Sequence, residues 1–229
     1  WTVEHHFLEE YSHCSNPEVL YGAIAARTSR MRLGYGVRLM PKPYNHPVRT
    51  AESVAVLDLL SDGRVDFGTG RSSTRPELEG FGIDPSATRG MWQEAIQHVV
   101  GCWTNEEYAF AGKHWQMPKR RVLPKPFQTP HPPIWGATSS EDGHQQIGAL
   151  VGCRVIPVEL IDPFFYHLDT CFCPLAPGHA IYYPPAFDAY AHDVLRANVA
   201  DLIEVSDDES EHFACNAVVL AKTVITNTG

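Results

Sequence analysis

In the first half of the chain, apolar positions switch repeatedly between a helical and an extended period. Residues 1–4 read as the end of a buried strand. After a turn at Ser15-Asn16-Pro17, PEVLYGAIAARTS carries Pro at the first helical position and an apolar stripe, which predicts a helix. MRLGYGVRLMP predicts a strand closed by Pro41. NHPVRTAESVAVLDLLSDG predicts a second helix, with Asn45 as cap, Pro47 at its start and Gly63 as its stop. RVDFGTGRSS reads as a strand ending in Gly and Ser, and residues 85–103 as another helix. Strand and helix in alternation predict parallel strands joined by crossover helices.

Residues 104–135 break this rhythm. They are rich in Pro and aromatics, which suits a long excursion ending in a new strand, PPIWGATSS. SSEDGHQQIGAL then starts a helix that Ser139 or Ser140 can cap. Beyond residue 150 the texture changes. CRVIPVEL, HLDTCFCPL, AIYYPP, DLIEV and AVVLAKTVITN read as short strands, with one helix near 186–198.

Charge changes at the same place. Residues 1–150 hold 15 Lys+Arg against 16 Asp+Glu, while residues 151–229 hold 3 against 11. The acidic part is a poor partner for nucleic acid, whose phosphates need Lys and Arg. The basic cluster Lys119-Arg120-Arg121 reads as a solvated loop. No run of 18 apolar residues occurs, so no membrane-spanning helix is expected. Apolar content of 44% and charged content of 20% suit a globular protein. The six cysteines form no CxxC pair and read as reduced thiols, which implies a cytoplasmic location. The chain opens inside an apolar run, WTVEHHF, which reads as a cut with sequence missing upstream.

Chemistry-bearing residues gather at the predicted C-terminal ends of strands: Glu4, His5 and His6; Arg38, Leu39 and Met40; Gly70, Arg71 and Ser72; Ala137, Thr138 and Ser139. In α/β barrels those ends face the active site. An Arg and a His converging there suit an anionic cofactor or an oxyanion. His5, His6, His13 and Cys14 could suggest a metal, but neighbouring residues of a strand point to opposite faces, so none is expected.

WTVEHHF, PEVLYGAIAARTSRMRLGYGV, HPVRTAESVAVLDLLSDGR and FGTGRS, in this order, resemble the bacterial luciferase-like flavin monooxygenases, and the likeness runs to about residue 149. The resemblance implies a TIM-type barrel and reduced FMN or a related deazaflavin. It also implies a small-molecule substrate and a flavin reductase as partner. It makes His5 the active-site histidine, moving a proton or hydrogen bonding to the oxygenated flavin or substrate. Arg71 would contact the flavin or its phosphate side, with Ser72 beside it. Glu4 and His6 are weaker candidates. The likeness starts at the second barrel strand and stops after about the fifth, so impaired activity is expected.

In the second part, His167, Asp169, Cys171 and Cys173 form H-x-D-x-C-x-C. The two Cys read as core thiols. His167 and Asp169 would share one face of a strand, either as a buried hydrogen-bonded pair or as a proton carrier beside a cation holder. RVIPVELIDPFFYHLDTCFCPL, IYYPPAFDAY, DLIEV and FACNAVVLAKTVITNTG resemble the guanidine-modifying superfamily, closest to dimethylarginine dimethylaminohydrolases and amidinotransferases. That resemblance covers about residues 153–229 and implies a five-bladed α/β propeller working through a covalent cysteine intermediate, with no cofactor. It makes His167 the proton carrier and Asp169 the guanidinium partner. The nucleophilic Cys would lie beyond Gly229, and Cys215 is expected to be a buried thiol.

The expected architecture is therefore α/β: a partial TIM-type (β/α)8 barrel over residues 1–150, followed by a partial α/β-propeller (pentein-like) fragment over residues 151–229. The seam is expected between Gly148 and Arg154. A flavin-dependent monooxygenase is the first function expected, a guanidino hydrolase the second, and an inactive fusion the third. Exposed half-barrel edges would favour a homo-oligomer.

Overall fold

The computed structural model describes residues 1–10, 13–72, 74–136, 148–149, 158–165, 168–220 and 223–226. The chain divides into two compact units, Trp1–Cys153 and Arg154–Gly229, each of mixed α/β structure. Ala137 to Ser139, nearly all of the expected helix from Ser139, and CRVIP lie outside the described residues.

In the first unit, α1 is Pro17–Ala25, and two short strands follow, β1 at Leu33–Gly34 and β2 at Arg38–Leu39. Then come α2, Pro47–Leu60, and β3, Val65–Gly70. β1 and β2 are two stretches of one edge, both pairing parallel with β3. Thr2 pairs parallel with Tyr35 on their outer side. β6, Ile134–Gly136, pairs parallel with the other edge of β3. The sheet thus runs Thr2, β1/β2, β3, β6, all parallel and in chain order, as the alternation of periods predicted.

Strand β3 is buried at all six positions, as suits a parallel strand covered on both sides. Val65 and Phe67 point into the helical core, and Thr69 accepts a hydrogen bond from Trp92 Nε1 at 3.2 Å. The core also takes Tyr21, Leu33, Tyr35, Met40, Val54, Ile96, Val99 and Trp103. On the opposite side lie Gly34, Gly36 and Gly68. A Cβ at Gly34 would stand 2.5 Å from the Trp1 ring, and one at Gly68 would stand 1.8 Å from the Tyr35 carbonyl oxygen. These glycines leave a flat floor on which the Trp1 indole lies, edge-on to Trp135 at 5.5 Å.

Helix α2 starts at Pro47 as expected, but its cap is His46, whose ring accepts from the Val48 N–H at 3.2 Å. Asn45 is drawn elsewhere, to Glu4. At the far end of α2, Asp58 is fully buried and accepts from the Gln128 N–H (2.9 Å) and Gln128 Nε2 (2.8 Å). This tie brings the long excursion back to the sheet just before β6.

The excursion is more ordered than its Pro content suggested. After α3 (Arg75–Gly80) and α4 (Thr88–Thr104), strands β4 (Tyr108–Ala111) and β5 (Gln116–Arg120) form an antiparallel hairpin. Glu94 of α4 accepts from three consecutive backbone N–H groups of its turn, Lys113 (2.8 Å), His114 (2.8 Å) and Trp115 (3.1 Å). Desolvation raises the Glu94 pKa, but these donors outweigh it and hold the carboxyl below its ordinary value. Lys119 and Arg121 pair on the surface with Glu107 and Glu106.

In the second unit, β7 (Phe172–Ala176) pairs antiparallel with β8 (His179–Tyr182), and β8 pairs parallel with β9 (Asp201–Glu204). Helix α5, Ala189–Asn198, makes the crossover and is capped by Asp188, which accepts from Ala191 N–H at 2.7 Å. A short helix α6, Asp207–Glu211, opens with a capping box between Ser206 and Glu209. β10 (Val218–Leu220) and β11 (Thr223–Ile225) pair antiparallel. Phe165, Cys171, Tyr182, Ala186, Phe187, Ala191 and Leu195 form the core. In HLDTC, Leu168–Thr170 is a 3₁₀ turn and not strand, and β7 begins at Phe172. No helix among the described residues is long and apolar enough to cross a membrane.

His98 of α4 is fully buried, stacked on Phe110 at 4.7 Å, and neither ring nitrogen has a hydrogen-bond partner among the described residues. Burial, with His46 nearby, lowers its pKa from 6.5 to about 4. Between those values the unfolded chain binds the proton more tightly, so stability falls as pH falls. Lowering pH from 7 to 5 should cost about 2 kcal/mol through this group, and H98F should abolish that share of the slope in urea titrations. An unchanged slope in H98F would contradict the assignment. Separately, E94A should cost about 1–3 kcal/mol in the same measurement, because three donors lose their acceptor.

Candidate functional site

Parallel strands bring their C-terminal ends to one edge of the sheet. There the chain continues from Thr2 into Glu4-His5-His6, from β2 into Met40, and from β3 into Arg71-Ser72. Five of the expected residues therefore meet: Glu4, His5, His6, Arg71 and Ser72. Ala137, Thr138 and Ser139 lie outside the described residues.

Two buried carboxylates hold this edge. Glu4 accepts from the Leu39 N–H (3.0 Å) and from Asn45 Nδ2 (2.9 Å). Its Oε1 is also 3.4 Å from His6 Nε2, and Arg38 Nη1 is 3.8 Å from Oε2. Arg38 is itself engaged inside, pairing with Glu18 of α1. The second carboxylate is Glu77 of α3, fully buried. Its Oε1 accepts from the His6 N–H at 2.9 Å and lies 3.2 Å from His5 Nδ1. Its Oε2 accepts from Ser72 Oγ at 3.3 Å and from the Thr74 hydroxyl. The side chains of the adjacent histidines thus turn to different carboxylates, His5 to Glu77 and His6 to Glu4.

Around them, His6 packs edge-on to Phe81 at 5.0 Å and near Tyr44 at 5.7 Å. The Tyr44 hydroxyl donates to Ser72 Oγ at 3.2 Å. Desolvation lifts its pKa to about 12, so it remains a donor throughout the neutral range. Ser72 has φ 63, a left-handed turn held by these two hydrogen bonds. Arg71 is half-buried, and among the described residues its guanidinium makes one long hydrogen bond, to Thr88 Oγ1 at 3.4 Å. That leaves further N–H groups for an anion.

Glu77 and Asn45 were not expected here. Thr74-Arg75-Pro76-Glu77 does carry a sequence signal, the spacing of a capping box. Its usual partner is the N-cap backbone, and nothing in that spacing predicts histidines 71 and 72 positions away.

In the second unit, His167 lies outside the described residues. Asp169 is exposed in its 3₁₀ turn, 3.4 Å from Asn216 Nδ2, so the shared-strand-face argument does not apply. Cys171, Cys173 and Cys215 are buried. Burial pushes the Cys171 and Cys215 thiols up to about 12, and raises Cys173 as well. They are core thiols. No group of three or more metal-ligating side chains occurs among the described residues.

Comparison with known proteins places both parts. A family model described as luciferase-like monooxygenase matches residues 1–152. The oxygenase component of the flavin-dependent trigonelline monooxygenase of Acinetobacter baylyi is 32% identical over 166 residues, 71% of this chain and 45% of that protein. The crystal structure of monooxygenase RslO1 from Streptomyces bottropensis superposes with TM-score 0.64 at 34% identity, covering 72% of this chain and 50% of that one. The C-terminal segment resembles the bifunctional arginine dihydrolase/ornithine cyclodeaminase ArgZ of Synechocystis, 43% identical over 95 residues, 41% of this chain and 14% of that protein. Those 95 residues exceed the 77 between Cys153 and Gly229, so this likeness reaches back before Cys153 and overlaps the residues of the family match. The chain spans about half the length of the first curated relatives it matches, 46% and 45%. Through residues 1–152, the chain belongs to the luciferase-like monooxygenase family.

Proposed function

We propose that the first unit is the flavin-facing part of a monooxygenase, a partial (β/α)8 barrel that holds reduced FMN or a related deazaflavin at the C-terminal ends of its strands. The observation that carries this reading is the meeting of His5, His6 and Ser72 over buried Glu77, with Arg71 beside Ser72 in the chain at the end of β3. Family membership supports it, as does likeness to the oxygenase component of the flavin-dependent trigonelline monooxygenase. So does the fit of the residues. The glycine floor of Gly34, Gly36 and Gly68 already accepts one flat ring, that of Trp1. Arg71 keeps donors for a phosphate or another anionic edge.

When bound, the flavin would supply the electrons that activate oxygen. The residues of this chain bind, orient and move protons. Arg71 attracts the anionic side of the cofactor. Tyr44 and Ser72 fix the turn that presents Arg71. His5 holds or delivers a proton at the reacting face. Glu4 works from beneath, tying the strand ends together. The partners of this reading are a small-molecule substrate and a flavin reductase, with a homo-oligomer and a cytoplasmic location in keeping with it.

Anaerobic titration with reduced FMN should give a saturable absorbance change in the micromolar range, and R71A should weaken it about tenfold (on the order of 1.4 kcal/mol). Absence of saturation would remove the flavin reading.

The 43% identity with ArgZ favours a second, separate reading, in which Asp169 grips a guanidinium and His167 moves a proton. Its nucleophile is not among Cys171, Cys173 and Cys215, whose burial and raised pKa values suppress the thiolate. Any citrulline released from arginine or methylated arginines should therefore persist in C171S, C173S and C215S. Citrulline formation that survives C171S, C173S and C215S together would locate the nucleophile elsewhere, and loss in one of them would show a core thiol to be reactive.

A further inference from the structure

Glu77 presents a physical problem whose solution assigns it a role. It is fully buried on the first turn of α3, where a carboxylate without donors would be strongly unfavourable. Its four neighbours come from two segments. Oε1 serves the N-terminal segment, through His5 Nδ1 and the His6 N–H. Oε2 serves the segment after β3, through the Ser72 and Thr74 hydroxyls. One side chain thus staples the ends of two parallel strands that share no hydrogen bond at that level.

The contact with His5 also has a chemical consequence. A carboxylate only accepts, so the imidazole nitrogen facing it must carry the proton. In the neutral ring this leaves the lone pair on Nε2, the tautomer suited to take a proton on the side away from Glu77. When His5 becomes cationic, the same carboxylate balances the charge, as acidic partners of catalytic histidines do.

We propose that Glu77 is the positioning residue for His5, fixing its Nδ1–H tautomer and ring orientation while holding the His5-His6 and Arg71-Ser72 segments in register. The proposal rests on the reading of His5 as the proton-handling group of a flavin site.

Nitrogen-15 histidine NMR on the full chain tests it, with His5 assigned by loss of its signals in H5A. The wild type should show the Nδ1–H tautomer. E77Q, whose amide oxygen can still accept, should keep it. E77A, which offers no acceptor, should lose it in favour of the Nε2–H form of free imidazole. A wild-type His5 in the Nε2–H form, or an E77A protein that keeps Nδ1–H, overturns the proposal. Should circular dichroism show E77A unfolded, the wild-type tautomer decides alone. Adding oxidised FMN to saturation separates the two levels of inference. It should move the His5 ring signals in wild type. Signals that stay still while FMN saturates would remove His5 from the flavin site and leave its orientation by Glu77 intact.

Discussion

A carboxylate withdrawn from water must be surrounded by donors, and the first unit is organised around three that obey this rule. Asp58 sits at the end of the sheet where β3 begins and collects the returning excursion through Gln128. Glu4 and Glu77 sit at the other end and collect the segments that follow the strands. Parallel strands need such ties more than hairpins do. Their connections run through helices, so nothing local fixes the ends of neighbouring strands to each other. The candidate chemistry lies at the tied edge, and the groups that would perform it are held by the groups that close the fold there.

The alternation of helix and strand was legible because α1 and α2 begin with Pro, β2 is soon followed by Pro41 and β3 ends in Gly70. Helix α2 could be placed almost to the residue. Its cap could not, because Asn45, the better capping residue, is worth more as a donor to buried Glu4. The β4–β5 hairpin was hidden by a turn around Gly112-Lys113-His114 whose order comes from Glu94, some twenty residues away. The period-2 spacing of HLDTC predicted a strand, but Leu168–Thr170 form a 3₁₀ turn, in which i and i+3 share a face and i and i+2 do not. At the candidate site, His5 and Arg71 were named from resemblance to a family. Glu77 was not, since its contacts exist only after two distant segments have met.

The two units answer to different constraints. The first carries balanced charge and an extensive helical core, and it belongs to the luciferase-like family. The second carries most of the net negative charge, with 11 acidic residues against 3 basic ones in residues 151–229. Its smaller core includes Cys171 among aromatic and aliphatic side chains. The ArgZ likeness starts earlier than the change in charge and texture indicated. Composition registers where acidic surface begins, whereas ancestry is written in side-chain order, and the two need not change at the same residue.

The glycine floor under Trp1 is a shape made by omission. Side chains elsewhere in the sheet define the core by what they fill, but Gly34 and Gly68 define this surface by what they decline to fill. At Gly68 even a methyl group would collide with the carbonyl of the neighbouring strand, at 1.8 Å, so no larger residue can be tried without moving backbone. Variation is thereby channelled. The floor is fixed by backbone, and the shape it presents is that of a plane, on which the Trp1 indole lies.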